Sequence, residues 1–313
     1  DRLPAEMRMT SAINSLQRFP SMSPAPERPP ETSPQALPRH TAMRYVAALR
    51  EGGSLPALME MDDDSLWVVK FRGAGQGPRA LVAELVVGSI ASHLGLPVPE
   101  LALVQLPEGA EHFHRHDEIR DLLRASVGLN VGLAHLEGAF NFEFLDGADL
   151  VDADLAAEVV WLDALTMNID RSPRNPNIMI HRRRPWLIDH GAALYFHHRW
   201  AGSDAASARR PFAPIAEHVL LSLAGDILAA DARLAPRLDR SALEAILSLV
   251  PDELLSPAID ASAPDFATAA ENRAAYVTYL LERLAEPRDF ASQAEEQRRA
   301  RASAPSVTLS HRR

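Results

Sequence analysis

The apolar residues of this chain are spaced differently in its two halves, and that difference limits the folds open to it. Up to about residue 106 they fall, one helical stretch apart, in short runs rich in β-branched and aromatic residues, whereas beyond about residue 110 they mostly recur at helical spacing. The first pattern suits strands and the second helices. Strands gathered at one end and helices at the other predict an α+β fold, not an alternating, doubly wound one.

In the first part, Tyr45 to Leu49 and Ala57 to Met61 flank Glu51-Gly52-Gly53-Ser54-Leu55-Pro56, a glycine-bearing turn between two strands. After Asp62-Asp63-Asp64 comes Leu66-Trp67-Val68-Val69-Lys70-Phe71, a third strand with Lys70 near its end. The loop Arg72 to Pro78 leads into a helix over Arg79 to Leu94, where Leu81, Leu85, Ile90 and Leu94 share a face and Gly95 supplies the stop. Leu101 to Leu106 reads as another strand. Helices are predicted over Asp117 to Arg124, Ala153 to Asn168, His218 to Ala230 and Ala267 to Leu284, with one more opened by a capping box at Ser241-Ala242-Leu243-Glu244. One hairpin interrupts them: Asn177 to Ile180 and Pro185 to Ile188 flank an exposed basic turn, His181-Arg182-Arg183-Arg184.

The two ends differ from this pattern. Residues 1–40 carry seven prolines between Pro20 and Pro38 and read as a disordered, Pro-rich leader; residues 291–313 lack an apolar stripe and read as a disordered polar tail. Charge and cysteine usage exclude several functions. With 32 basic against 42 acidic residues, a net charge of −10, nucleic-acid binding through a broad basic face is not expected. The absence of cysteine removes disulfides, zinc–thiolate sites and thiol catalysis, and points to a cytoplasmic protein. No run of 18 apolar residues suggests a membrane partner.

Of the basic residues only Lys70 is a lysine; every other one is arginine. A compact ammonium kept against such a bias suggests a site that needs its shape. Two aspartates, Asp170 and Asp189, bracket the hairpin; between them Asn175 precedes the first hairpin strand and Asn177 opens it. Phosphoryl transfer calls for such a set: a carboxylate for the attacking hydroxyl, an amide and a second carboxylate for Mg²⁺, and a lysine for the nucleotide phosphates.

The order of these motifs resembles the protein-kinase-like fold. The similarity is greatest to bacterial HipA-like kinases, in Arg50-Glu51-Gly52-Gly53-Ser54-Leu55-Pro56, Lys70-Phe71-Arg72-Gly73-Ala74-Gly75-Gln76-Gly77, Arg174-Asn175-Pro176-Asn177 and Leu187-Ile188-Asp189-His190-Gly191-Ala192-Ala193-Leu194, and spans about residues 43–290. The resemblance implies a two-lobed fold, with a β-rich N-lobe over residues 41–136, a mainly helical C-lobe over 137–290, and a hinge near Leu129 to Leu136. It implies γ-phosphoryl transfer from ATP, with Mg²⁺, to a hydroxyl-bearing acceptor. By the same likeness Lys70 binds phosphates and pairs with Glu84, Asp170 accepts the hydroxyl proton, and Asp189 binds Mg²⁺ with Asn175 or Asn177. Gly52, Gly53 and Ser54 would cover the phosphates; relatives modify a serine in this loop, but Ser54 reads first as an ordinary turn serine. His190 stands where many kinases have Phe.

The acceptor is left open between a protein Ser/Thr and a lipid or small-molecule alcohol, as is transfer of AMP in place of phosphate. Two other readings compete. A nucleotide-binding pseudokinase or scaffold would carry nearly the same motifs. A metallohydrolase could be drawn from His181, His190, His197 and His198 with Asp170 and Asp189, although their spacing suits it poorly.

Overall fold

The structure, a computed structural model, describes residues 36–49, 55–75, 77–256 and 265–303. The turn residues Gly52, Gly53 and Ser54 lie outside the described residues. Five strands close into a barrel: β1 (Arg39–Ala48), β2 (Ala57–Met61), β3 (Leu66–Lys70), β4 (Leu101–Leu106) and β5 (Gly128–Ala134), in the order β1-β2-β3-β5-β4. All neighbours run antiparallel except β1 and β4, whose parallel pairing (Arg39↔Leu103, Thr41↔Gln105) closes the ring. Strand alternation sends Met59, Met61, Trp67, Val69 and Val104 inward, and closure leaves these strands no free edge.

The helix α1 (Pro78–His93) joins β3 to β4, and α2 (Asp117–Ala125) packs Leu123 into the barrel core. The remaining chain is largely helical: α3 (Phe144–Gly147), α4 (Ala153–Thr166), α5 (Ala205–Ala208), α6 (Ile227–Leu234), α7 (Arg240–Ser248), α8 (Asp252–Leu255), α9 (Ala269–Leu284) and α10 (Asp289–Ser303). A small antiparallel sheet, β6 (Phe140–Asn141), β7 (Ile178–His181) and β8 (Arg184–Leu187), interrupts it in the order β6-β7-β8. The architecture is thus an N-terminal β-barrel followed by a mainly helical region. No helix of the described residues is long and apolar enough to cross a membrane.

α1 is buried along most of its length, from Leu81 to Ala91. It packs against β4 and β5 on the barrel side and against α7 and α8 on the other, so its apolar residues need no single face. Proline at its first position costs no hydrogen bond, and Gly95 (φ 76°) follows its end.

Several expectations need correction. The leader assigned to residues 1–40 ends too late: Pro38 accepts a hydrogen bond from Leu103 N–H, Leu37 packs on the core, and β1 begins at Arg39. β4 supplies the hydrogen bonds that the polar run Arg39-His40-Thr41 gave no pattern to reveal. The tail assigned to residues 291–313 is helical as far as Ser303, because Phe290, Ala291, Ala294 and Glu295 are buried; residues 304–313 lie outside the described residues. No helix starts at His218. Its Nδ1 accepts the Leu220 N–H, and the helix opens only after Asp226 caps it through Ala229 N–H. α7 is capped by Asp239, not Ser241, while a capping box stands at Thr268 and Glu271 on α9.

Candidate active site

Lys70, at the end of β3, and Glu84, on α1, are both buried, and Lys70 Nζ lies 2.7 Å from Glu84 Oε2. The same ammonium lies 2.5 Å from Asp189 Oδ1, just beyond β8. Glu84 Oε2 also accepts the backbone N–H of His190 at 2.8 Å. One carboxylate therefore joins the barrel lysine to the segment after the hairpin.

The electrostatics follow from burial and pairing. Burial pulls the Lys70 ammonium's pKa down, but Glu84 and Asp189 outweigh it and leave it above the ordinary value. Burial pushes Glu84 above the ordinary carboxylate range despite Lys70. Burial also raises Asp189, yet Lys70 prevails and its pKa ends lowered. With all three ionised, the groups carry one excess negative charge. A divalent cation fits such a deficit.

Asp170 sits in the loop between α4 and β7. Asn175 Nδ2 donates to its Oδ2 at 2.8 Å, and Asn177 Nδ2 donates to its backbone oxygen at 2.8 Å and to Oδ2 at 3.4 Å. Both amides thus spend their nitrogen on Asp170, which leaves the amide oxygens as ligand atoms. Their backbones differ. Ile188 N–H donates to Asn177 O, so hairpin register sets Asn177 beside the residue preceding Asp189. Asn175 instead closes a tight loop with Ser172.

Beneath these residues lies a buried network that sequence patterns did not single out. Asp163, on α4, receives Arg171 Nε at 2.5 Å and His218 Nε2 at 2.9 Å on Oδ2, and Asn168 Nδ2 at 3.0 Å on Oδ1. Asn168 Oδ1 in turn accepts the Asp170 N–H. Arg171 Nη1 donates to the carbonyls of Asn177 and Ile188, and Nη2 to His190 Nδ1 at 3.3 Å. Burial opposes the Asp163 charge, but Arg171 and His218 hold its pKa well below the carboxylate range. Burial and the neighbouring Arg171 lower the His190 pKa to about 3, so its ring is neutral and accepts a guanidinium N–H at Nδ1. The available signal was a lone Asp163 in a helix otherwise apolar near its C-terminus.

The histidine cluster drawn for a metallohydrolase does not assemble. Among the described residues the group able to share a metal ion is His40, Asp62 and Asp63, far along the chain from Asp170 and Asp189. His197 instead bonds Tyr276 Oη at 2.9 Å and His198 at 3.2 Å.

Comparison with known proteins gives the family. The crystal structure of a Helicobacter pylori proinflammatory kinase, CtkA, is similar with a TM-score of 0.49 and 14% identity, covering 86% of this chain and 100% of that one. No curated protein matches the sequence. HipA-like kinases match it over residues 43–253, most of the barrel and much of the helical region. The chain belongs to the HipA-like kinase family.

Proposed function

We propose that this protein transfers the γ-phosphoryl group of ATP to a hydroxyl, with a protein Ser or Thr as acceptor. The observation that carries the reading is the buried Lys70–Glu84 pair bonded to the half-buried Asp189, joined through Asn177 to Asp170. In this reading Lys70 holds nucleotide phosphates, oriented by Glu84. Asp189 and Asn177 supply hard oxygen donors for Mg²⁺, and Asn177 is preferred to Asn175 because its backbone is bonded to Ile188. Bound Mg²⁺ would offset charge on the phosphate oxygens. Asp170 takes the proton of the acceptor hydroxyl as that oxygen bonds to the γ-phosphorus; the bond to the bridging oxygen breaks, and ADP leaves with the electron pair. Asn175 and Asn177 hold the Asp170 carboxylate by hydrogen bonds, and Arg171 fixes the loop through two carbonyls.

The test begins with nucleotide. At Mg-ATP about a hundredfold above its dissociation constant, linkage predicts roughly 2.7 kcal/mol of stabilisation, seen as a Tm several degrees higher. Asp189→Asn should lose that shift. Lys70→Met and Asp170→Asn should each lower phosphoryl transfer at least about a hundredfold, with Asp170→Asn still binding nucleotide. Full transfer by the Asp170 variant would instead favour a role in binding alone.

A further inference from the structure

β7 and β8 turn at Arg182-Arg183, and both residues adopt positive φ, 49° and 63°. A two-residue turn of this kind is normally built from Asn-Gly, because Cβ crowds the backbone carbonyl in the left-handed conformation, which Gly avoids and Asn tolerates. Here both positions hold arginine, and a third, Arg184, follows. Arg182 and Arg183 are exposed and Arg184 is half-buried.

Arg182, Arg183 and Arg184 make no side-chain hydrogen bond or ion pair among the described residues. Several arginines elsewhere are matched with carboxylates: Arg171 with Asp163, Arg233 with Glu158, Arg273 with Asp252, Arg288 with Asp231. In a chain with a net charge of −10, three consecutive guanidiniums without a carboxylate stand out as a localised positive site. No hydrogen bond or ion pair of these exposed side chains offsets the strain. Backbone strain kept at an exposed position is a pointer to use.

The tip is also wired to the rest of the protein. β7 leads back to Asn177 and β8 to Asp189, each over four strand residues, ~13 Å. On one side β6 pairs with β7 through Phe140 and Ile180, and Leu187 N–H bonds Pro97 O near the start of β4.

We propose that Arg182, Arg183 and Arg184 form a docking surface for an acidic polypeptide segment of a partner protein. Guanidinium forks match carboxylates with two parallel hydrogen bonds. A short run of Glu or Asp can engage three such forks while the rest of its chain stays clear of this acidic molecule. A nucleic acid fits less well: its affinity grows with many phosphate contacts along a broad basic face, and three arginines at one point do not provide that. Docking here does not depend on phosphoryl transfer.

The experiment measures anisotropy of a fluorescein-labelled octaglutamate peptide and, separately, of a labelled dT8 oligonucleotide, on the full chain at low and moderate salt. The peptide should bind saturably, more weakly as salt rises, and more tightly than the oligonucleotide. The double variant Arg182→Asn/Arg183→Gly should bind it at least about tenfold more weakly while its Tm rises by a few degrees, since the turn strain is relieved. Arg184→Gln, which leaves the turn intact, should weaken binding several-fold; it decides the matter where the double variant does not fold. Absence of saturable peptide binding, tighter binding of dT8, or unchanged peptide affinity in Arg184→Gln would overturn the proposal. Binding that persists in Asp170→Asn, even where that variant and the wild type transfer no phosphate, would still support it.

Discussion

At the scale of single residues, His190 has the sharpest consequence. Its ring is buried, accepts from Arg171 at Nδ1, and lies close enough to Lys70 to feel that charge. Protonation would set a second cation beside Arg171, which with burial is why its pKa falls to about 3, against an ordinary value of about 6.5. The unfolded chain therefore binds a proton between these values that the folded chain refuses. Stability contributed by neutral His190 is fully present above about pH 6.5 and is lost as pH falls toward 3, by about 1.4 kcal/mol per pH unit within that window. Urea unfolding of nucleotide-free, metal-free protein from pH 7 to pH 5 should show this fall, and His190→Asn should reduce its slope by up to one proton. Equal slopes in the two proteins would place the proton elsewhere, on His197 or His218, whose pKa values are also lowered by burial. Lys70, Asp170 and Asp189 were legible from their order and from the rarity of lysine. Asp163, Arg171 and His218 were not, because their roles come from contacts between segments 8 and 55 residues apart.

At the scale of elements, α10 shows where pattern reading loses information. Its sequence after Phe290 offers only alanines as apolar residues, so no stripe is visible; yet Ala291 and Ala294 are small enough to let the helix approach α4 and α6 closely. Glu295 adds a polar clasp, accepting from Ile227 N–H, Arg298 and Arg299. Phe290 is the anchor: its ring centroid lies 5.9 Å from that of Trp161, and the Arg283 guanidinium stands 4.9 Å over its face. Phe290→Ala should cost about 3–5 kcal/mol in urea denaturation, as for a large buried aromatic in a well-packed core. A cost below about 1 kcal/mol would make α10 an accessory. By contrast β2, β3, β4, the hairpin and α1 were legible, because each carries a full apolar run or period between Gly and Pro signals. β1 was read only from Tyr45, since its first residues owe their place to parallel pairing with a strand some sixty positions away, and local sequence carries no trace of such a partner.

At the scale of the molecule, the question is whether barrel and helical region unfold together. The reading of two lobes from sequence suggests separable units, but the apolar core is continuous across them. Leu101, Leu103, Val131 and Leu133 on the barrel's outer face share one cluster with α1, with Trp161 on α4 and with Tyr276 and Leu280 on α9. Polar ties follow the same route. Lys70 pairs with Asp189, Arg79 with Asp265, and Arg237 donates to the carbonyls of His93 and Leu94 at the end of α1. Separating the lobes would expose both sides of α1, whose residues from Leu81 to Ala91 are buried. It would also leave Glu84 without the His190 N–H and Lys70 without Asp189. Burying apolar surface contributes about 25 cal/mol per Å², so either lobe alone would forfeit several kcal/mol against a typical total near 5–15 kcal/mol. The expected result is a single cooperative transition. Two variants, each retaining one tryptophan as reporter, Trp67 in the barrel and Trp161 in α4, should give coincident urea midpoints and the same midpoint by far-UV circular dichroism. If the Trp67 signal moved at lower urea than Trp161, α1 would be joined to the helical region more firmly than to the barrel, and the barrel would fold as a separate unit.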